Sequence, residues 1–456
     1  WFGDKGVALV LIAASAVFLG AGSLYDLFLL VLSIVVNFAL VSAIWRAGET
    51  TLLRRTALVV GIAFNVFLLT YFKVYGEAWS TESVHGPAGT LGTLPLAISF
   101  YTFHQIAFLV DMSAPDAKRV PFERYALFVG FFPQLVSGPI VRWDEVKDQL
   151  SSLAPRLLKG PYVALGTMLL IAGLAKKTLI ADRIGSVIAP VYAGAGDALP
   201  TMGEAWSAAF GFAFQVYFDF SAYSDIAIGV GLMFGIFLPV NFLSPFKASS
   251  IRVFWITWHI TFSRFLRDYV YNPLGGRSRF AAMRLPALSV AMLISGVWHG
   301  LGWTFTIFGL LSGLFIVLSQ LRKRRFDNAA VPNGVYTWIG RTIVMFAFAV
   351  TIILFRSPDI ATAGTIYYAL FSGAPTLGLI PLWFAIALPC LAIFLWLLPN
   401  TAELFGQLGT PLERQARSQT LHVPVPLALS LGVLFGVVLL QLWGSDQSSE
   451  FIYFAF

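Results

Sequence analysis

Apolar residues along this chain gather in long blocks. Near-continuous apolar stretches run at about 7–22, 26–45, 56–72, 161–180, 286–298, 303–321, 338–355, 378–397 and 427–443. Each approaches the ~20 residues that a helix needs to cross a bilayer. Shorter or interrupted stretches lie near 94–110, 125–140, 205–218 and 222–238. The pattern predicts an all-α, polytopic integral membrane protein with roughly eleven to thirteen transmembrane or re-entrant helices. No repeat and no low-complexity linker divides the chain, so residues 1–456 read as a single membrane domain.

Several short pieces carry Gly and Pro where a clean span would not. Examples are Phe131-Phe132-Pro133-Gln134 through Ser137-Gly138-Pro139, and Leu238-Pro239-Val240-Asn241. Irregular backbone at membrane depth survives only inside protein or against a water-filled cavity. These pieces are therefore expected to form broken or re-entrant helices lining a cavity.

Composition closes the other classes. Of 456 residues, 58% are hydrophobic and 12% charged, and the mean hydropathy is +0.78. Soluble domains carry about 25% charged residues, so a soluble enzyme is excluded, as are a disordered chain, a collagen and a coiled coil. The net charge of +7 reads as basic cytoplasmic loops and not as a nucleic-acid surface. The clusters Arg322-Lys323-Arg324-Arg325, Arg46 with Arg54 and Arg55, Lys118 with Arg119 and Arg124, and Lys176-Lys177 at the end of the 161–180 stretch are placed in the cytoplasm on that rule. The 73–93 loop, with Glu77 and Glu82, then faces outward. The single cysteine, Cys390, rules out an internal disulfide. The chain begins at Trp1, so an N-terminal piece is expected to precede it.

Polar residues inside membrane segments are expensive, and each is a functional candidate. Of the five histidines, His85 and His422 fall in loops, and His104 in a polar break suited to a hydrogen bond between helices. His299 ends the apolar run Leu293–His299 and is followed by Gly300, which makes an accessible imidazole able to take a proton from a hydroxyl near neutral pH. His259 lies in the basic, aromatic stretch 252–269. Read as one helix, this stretch puts Arg252, Trp255, His259, Ser263 and Leu266 on one face and Arg264 with Asp268 at i, i+4. It is either a surface helix or the polar wall of a reaction tunnel. A third cluster runs from Gln215 to Asp225 and holds Asp219, Tyr223 and Asp225. Its two carboxylates are six apart and off a common helical face. Without nearby His or Cys they suit no metal, and the cluster is expected to break the helix and orient a cavity. No nucleotide-binding loop, dinucleotide fingerprint, zinc-protease motif or nucleophile elbow is present in usable context.

Six pieces in order resemble the membrane-bound O-acyltransferase (MBOAT) family, in particular its bacterial branch that O-acetylates alginate and other polysaccharides. They are Gln134–Arg142, Tyr217–Asp225, Asn241–Phe246, Trp258–Thr261, Leu266–Gly276 and Gly296–Gly300, and the ending Phe451-Ile452-Tyr453-Phe454 also matches. The resemblance runs from about 94 to 456 and is strongest over 215–303. Two positions depart from it: Ile256 and Thr257 stand where the family usually has arginines, and Ala222 where it commonly has Gly.

The resemblance implies a central reaction tunnel with His299 as base or acyl carrier and His259 as the family's second polar position. It implies substrate-binding roles for Trp298, Asp219, Tyr223, Asp225, Asn241, Trp258, Arg264 and Asp268, and no metal. It also implies acetyl-CoA, or another acyl-CoA, as a donor substrate from the cytoplasm, with no permanently bound cofactor. The acyl group then passes to an extracytoplasmic polysaccharide or an acetyl-carrying partner protein, in a multi-pass protein of the bacterial inner membrane. Backbone amides near Gly296 or Gly300, or the Trp298 indole, are candidates to steady an oxyanion. Lys176, Lys177, Arg264, Arg267 and Arg277 are candidates to attract coenzyme A phosphates. Transfer of D-alanyl or a longer acyl chain stays open, as do a polysaccharide transporter and an export scaffold.

Overall fold

In hydrocarbon every backbone N–H and C=O must be satisfied within the chain, and a long apolar run does this as a helix. The computed structural model follows that rule; it describes residues 3–48, 51–80, 94–326, 334–406, 425–444 and 451–452. All regular structure among the described residues is helical. By length and composition, six helices among them can cross a membrane: Asp4–Gly22, Leu24–Arg46, Leu52–Val74, Gly160–Gly194, Val335–Arg356 and Leu382–Leu404. Trp303–Ser319, Ile360–Ser372 and Leu429–Trp443 are apolar but shorter. Their outward faces carry large apolar side chains such as Phe28, Phe67, Leu440 and Trp443, the last 93% exposed. Such a surface suits lipid and not water. The protein is an all-helical, multi-pass membrane protein.

Two expectations about helix limits change. The stretches 205–218 and 222–238 are joined in one helix, Met202–Met233, which runs straight through the polar cluster. No Gly or Pro falls between Gln215 and Asp225, and the polar side chains find partners without disturbing the backbone. Conversely, 252–269 is not one helix. Ile251–Thr257 stops at Trp258, His259 takes a left-handed conformation (φ 42°), and Ile260–Phe265 continues into a π-helical segment, Leu266–Gly276. The face expected to join Arg252 and Trp255 to His259, Ser263 and Leu266 therefore does not form, whereas Arg264 and Asp268 both lie beyond the kink.

Contacts divide the chain into two compact units, each described on its own. The first comprises Trp1–Leu170 and Ile226–Pro239. Its first helices are held at mid-length by a fully buried amide cluster. Asn65 Nδ2 donates to Asn37 Oδ1 at 2.6 Å, Asn37 Nδ2 donates to Gln105, and Ser33 Oγ donates to Gln105 Oε1 at 2.8 Å. Such bonds hold helices together in lipid at roughly 1 kcal/mol each. Arg54 donates to the Ala114 carbonyl at 2.6 Å. This bond ties the start of the helix Thr51–Ser80 to the turn just after the helix Ile98–Met112. His104 accepts from the Val141 N–H at 3.1 Å and anchors the irregular segment after Gly138, so its partner here is non-helical backbone and not a second helix. The segment 234–241 is also irregular, and Gln149 holds it by bonds to both N–H and C=O of Phe237.

The second unit comprises Ile171–Asp225 and Val240–Phe456. Its centre is the buried stretch Val344–Phe355 of the helix Val335–Arg356. Beside it the helices Ala281–His299 and Trp303–Phe326 approach closely through glycines. A Cβ on Gly296 would meet the Phe305 carbonyl oxygen at 2.3 Å, and one on Gly309 the Met292 carbonyl oxygen at 2.5 Å. With Gly313 one turn on, this is the small-residue packing that membrane helices use in place of a hydrophobic drive. His85 and His422, residues 81–93 of the expected 73–93 loop and residues 453–456 lie outside the described residues, while 73–80 of that loop belongs to the helix Thr51–Ser80. Cys390 is exposed on its apolar helix.

Candidate active site

His299 sits at the last position of its helix because Gly300 leaves helical geometry for an extended one (φ −171°, ψ 156°). The imidazole is buried. Its ring lies 4.5 Å from Trp298, 4.8 Å from Phe355, and 6.3 Å from both Phe262 and Phe308. Four aromatic rings from four helices therefore wall one histidine. An environment this poor in water strengthens any polar contact a substrate makes there.

The kink at Trp258–His259 brings the second histidine to the same place. His259 shares Phe262 (5.0 Å) and Trp298 (6.4 Å) with His299, and Phe220 meets its ring edge-on at 4.6 Å. His259 Nδ1 lies 3.0 Å from Asn241 Oδ1, which also accepts from the N–H and the hydroxyl of Thr261. Asn241 Nδ2 donates to Ser224 Oγ at 3.1 Å. The irregular segment after Pro239 thus orients the second histidine from 18 residues away. Sequence reasoning gave Asn241 a substrate role; the structure places it behind His259.

The polar cluster of Met202–Met233 is satisfied by ion pairs. Lys177 Nζ lies 2.8 Å from both Asp219 and Asp182. Lys176 Nζ lies 2.6 Å from Asp225 and also donates to Ser221 and Thr401. Thr401 Oγ1 donates to Asp225 at 2.6 Å as well. Lys176 and Lys177 were expected at the cytoplasmic end of a span, free to meet coenzyme A. Instead the helix continues through a π-helical turn, Lys176–Ala181, into Asp182–Gly194, and both lysines turn inward. The reason is desolvation: a carboxylate such as Asp219, 1% exposed, is tolerated away from water only when paired and hydrogen-bonded. The C-terminal segment joins this pair. The Ile452 N–H donates to Asp219 Oδ2 at 2.9 Å, and the Phe451 ring lies under the Lys177 ammonium at 4.7 Å and edge-on to Tyr223 at 5.1 Å.

The other candidates are spread out. Trp258 is buried among Phe254, Phe242 and Phe348, as part of the packed interior. Asp268 binds Arg267 and Asn272 in the π-helical segment, and Arg264 stands one turn before it. The structure brings His299, Trp298, His259 and Asn241 together, and ties Asp219, Tyr223 and Asp225 into the lysine network. Phe262, Phe355 and Thr261 were missed, because no local pattern distinguishes them from core residues. The inward lysines were legible in principle: two Asp inside an apolar run demand two nearby cations. No group of three His, Cys, Asp or Glu among the described residues is placed to hold a metal.

The family model for the membrane-bound O-acyltransferases matches residues 14–357, which span the whole histidine centre. The chain belongs to the MBOAT family. A peptidoglycan O-acetyltransferase of Helicobacter pylori is 38% identical over 67% of this chain and 63% of its own length. The probable alginate O-acetylases AlgI of Azotobacter vinelandii and Pseudomonas aeruginosa are 33% and 31% identical, over 80% and 81% of this chain and 72% and 71% of theirs. A teichoic acid D-alanyltransferase of Streptococcus thermophilus is 28% identical over 51% of this chain and 59% of its own. The chain thus spans under two thirds of the Helicobacter relative, and somewhat more of the two AlgI proteins.

Proposed function

We propose that this protein is a membrane-embedded O-acetyltransferase of the bacterial inner membrane. It takes an acetyl group from a cytoplasmic thioester, acetyl-CoA, and passes it through the protein to a hydroxyl of an extracytoplasmic polysaccharide. The observation that carries this reading is the pairing of His299 and His259 around Phe262 and Trp298, inside the region that matches the family. Acetyl is preferred to D-alanyl because the relatives named for O-acetylation are more similar to this chain, over more of its length, than the D-alanyltransferase.

The chemistry asked of the site is modest. A thioester is already activated, so the protein must deprotonate a hydroxyl and steady the oxyanion that forms on the acyl carbonyl. His299 takes the proton. The aromatic wall excludes water, which would otherwise hydrolyse the donor. The test uses purified protein in vesicles with labelled acetyl-CoA and an oligosaccharide acceptor. His299→Ala is expected to lower acetyl transfer by about 10²–10⁴-fold while the protein still inserts and purifies. Wild-type turnover by that variant refutes the assignment. Transfer supported by acetyl-CoA supplied only to the outer face refutes the direction.

A further inference from the structure

One amide fixes which nitrogen of His259 carries a proton. The Thr261 backbone N–H, 3.3 Å from the Asn241 side chain, can only donate. The atom facing it is therefore the carbonyl oxygen, and the NH₂ faces Ser224 Oγ. That same oxygen lies 3.0 Å from His259 Nδ1. An amide oxygen only accepts, so Nδ1 is the N–H. The ring is buried among Phe220, Phe262 and Trp298, where an unpaired imidazolium charge would be costly. In the neutral ring Nε2 is then a bare lone pair, and it is buried without a hydrogen-bond partner among the described residues.

The arrangement is rigid. The Ile260 N–H donates to the Asn241 carbonyl at 2.9 Å and the Leu243 N–H to the Thr257 carbonyl at 3.0 Å, so the two segments are clipped together on both sides of the kink. Phe220 and Phe262 hold the imidazole on its edge and its face. The left-handed backbone of His259 is a strained state for a side chain with a Cβ. It persists because these bonds over-determine it.

We propose that Asn241, with Thr261, is a positioning residue that holds His259 as the Nδ1–H tautomer, so that Nε2 accepts a hydrogen bond from an alcohol hydroxyl of the acyl acceptor. The ligand class follows from the lone pair. Nε2 receives a neutral O–H group, and it repels carboxylate and phosphate oxygens, which offer only lone pairs. His259 is thereby not an oxyanion donor, and that task falls to other groups. The identity of the hydroxyl as the acceptor's rests on the proposed function, whereas the tautomer does not.

The test separates the two. Nitrogen-15 histidine spectra of the purified wild-type protein, with His259→Gln to identify the resonances, are expected to show a protonated Nδ1 and an unprotonated Nε2. A protonated Nε2 overturns the proposal, and this readout needs no turnover. Asn241→Ala is expected to lose that tautomer and roughly 10- to 100-fold in acceptor acetylation, the range for loss of a group that orients a functional histidine. Asn241→Asp, which still accepts from Nδ1 and Thr261, is expected to regain the tautomer and part of the rate. Hydrolysis of acetyl-CoA by Asn241→Ala is expected to change less than transfer to the saccharide. An equal fall in both overturns the assignment of Nε2 to the acceptor hydroxyl.

Discussion

Replacing Lys177 with Met removes the cation that two carboxylates share. Asp219 and Asp182 both lie 2.8 Å from its ammonium, and their side chains are 2% and 27% exposed. Met keeps much of the aliphatic stem, so the effect is electrostatic. Asp182 is partly exposed; Asp219 is not, and it keeps the N–H of Ile452. Breaking a buried ion pair from one side costs about 3–5 kcal/mol, chiefly the penalty of the charge left behind. In a protein of this size that is a fall on the order of 3–5 °C in apparent melting temperature. Asp219→Asn is the milder change, because Lys177 keeps Asp182. The double variant Lys177→Met with Asp219→Asn removes the stranded charge and should recover part of the loss. Fluorescence-detected gel filtration after heating in detergent ranks the three: Lys177→Met lowest, the double variant above it, Asp219→Asn above both. A double variant no better than Lys177→Met shows that stranded charge is not the cause.

Two other perturbations test the helix contacts around the site. Gly296→Ala puts a methyl 2.3 Å from the Phe305 carbonyl oxygen and 2.9 Å from the Gly309 Cα, both backbone atoms, so the helix pair must separate. The expected cost is about 1–3 kcal/mol, with roughly 100-fold lower transfer because His299 lies one turn on; unchanged turnover and melting refute the close approach. Asp359 caps the helix Ile360–Ser372, and the Thr362 N–H at 2.7 Å holds its carboxyl below the usual carboxylate range. The cap therefore adds stability above the unfolded pKa near 4, which is lost as pH falls through the folded value. Melting of wild type and Asp359→Ala should converge as pH drops below about 4, and a gap that stays constant from pH 7 to 3 refutes this.

Much of the site was legible before any fold. The Trp298-His299-Gly300 ending of an apolar run announces an imidazole at a helix terminus, and the helix does stop there. Residues 215–225 were legible as polar inside an apolar stretch but not as helical. Polarity there suggests a break, while the backbone is indifferent so long as Lys176, Lys177, Asn241 and Thr401 serve the side chains. The 252–269 stretch failed the other way. Its spacing suits one helix, yet the bonds across Asn241–Leu243 and Thr257–Thr261 impose a kink.

The sequence alone determined the class: its long apolar blocks cannot be hidden from water within a single soluble core, so they must meet lipid, and as helices. It also determined which polar residues are exceptional, since each charge in such a block carries a desolvation penalty visible from composition. The tertiary structure decided the partners. Lys177 with Asp219, Asn241 with His259, and His299 with Phe355 are separated by 42, 18 and 56 residues, and nothing local links them. Pairing of buried charges and clipping of irregular backbone are long-range events, settled by which helices pack side by side.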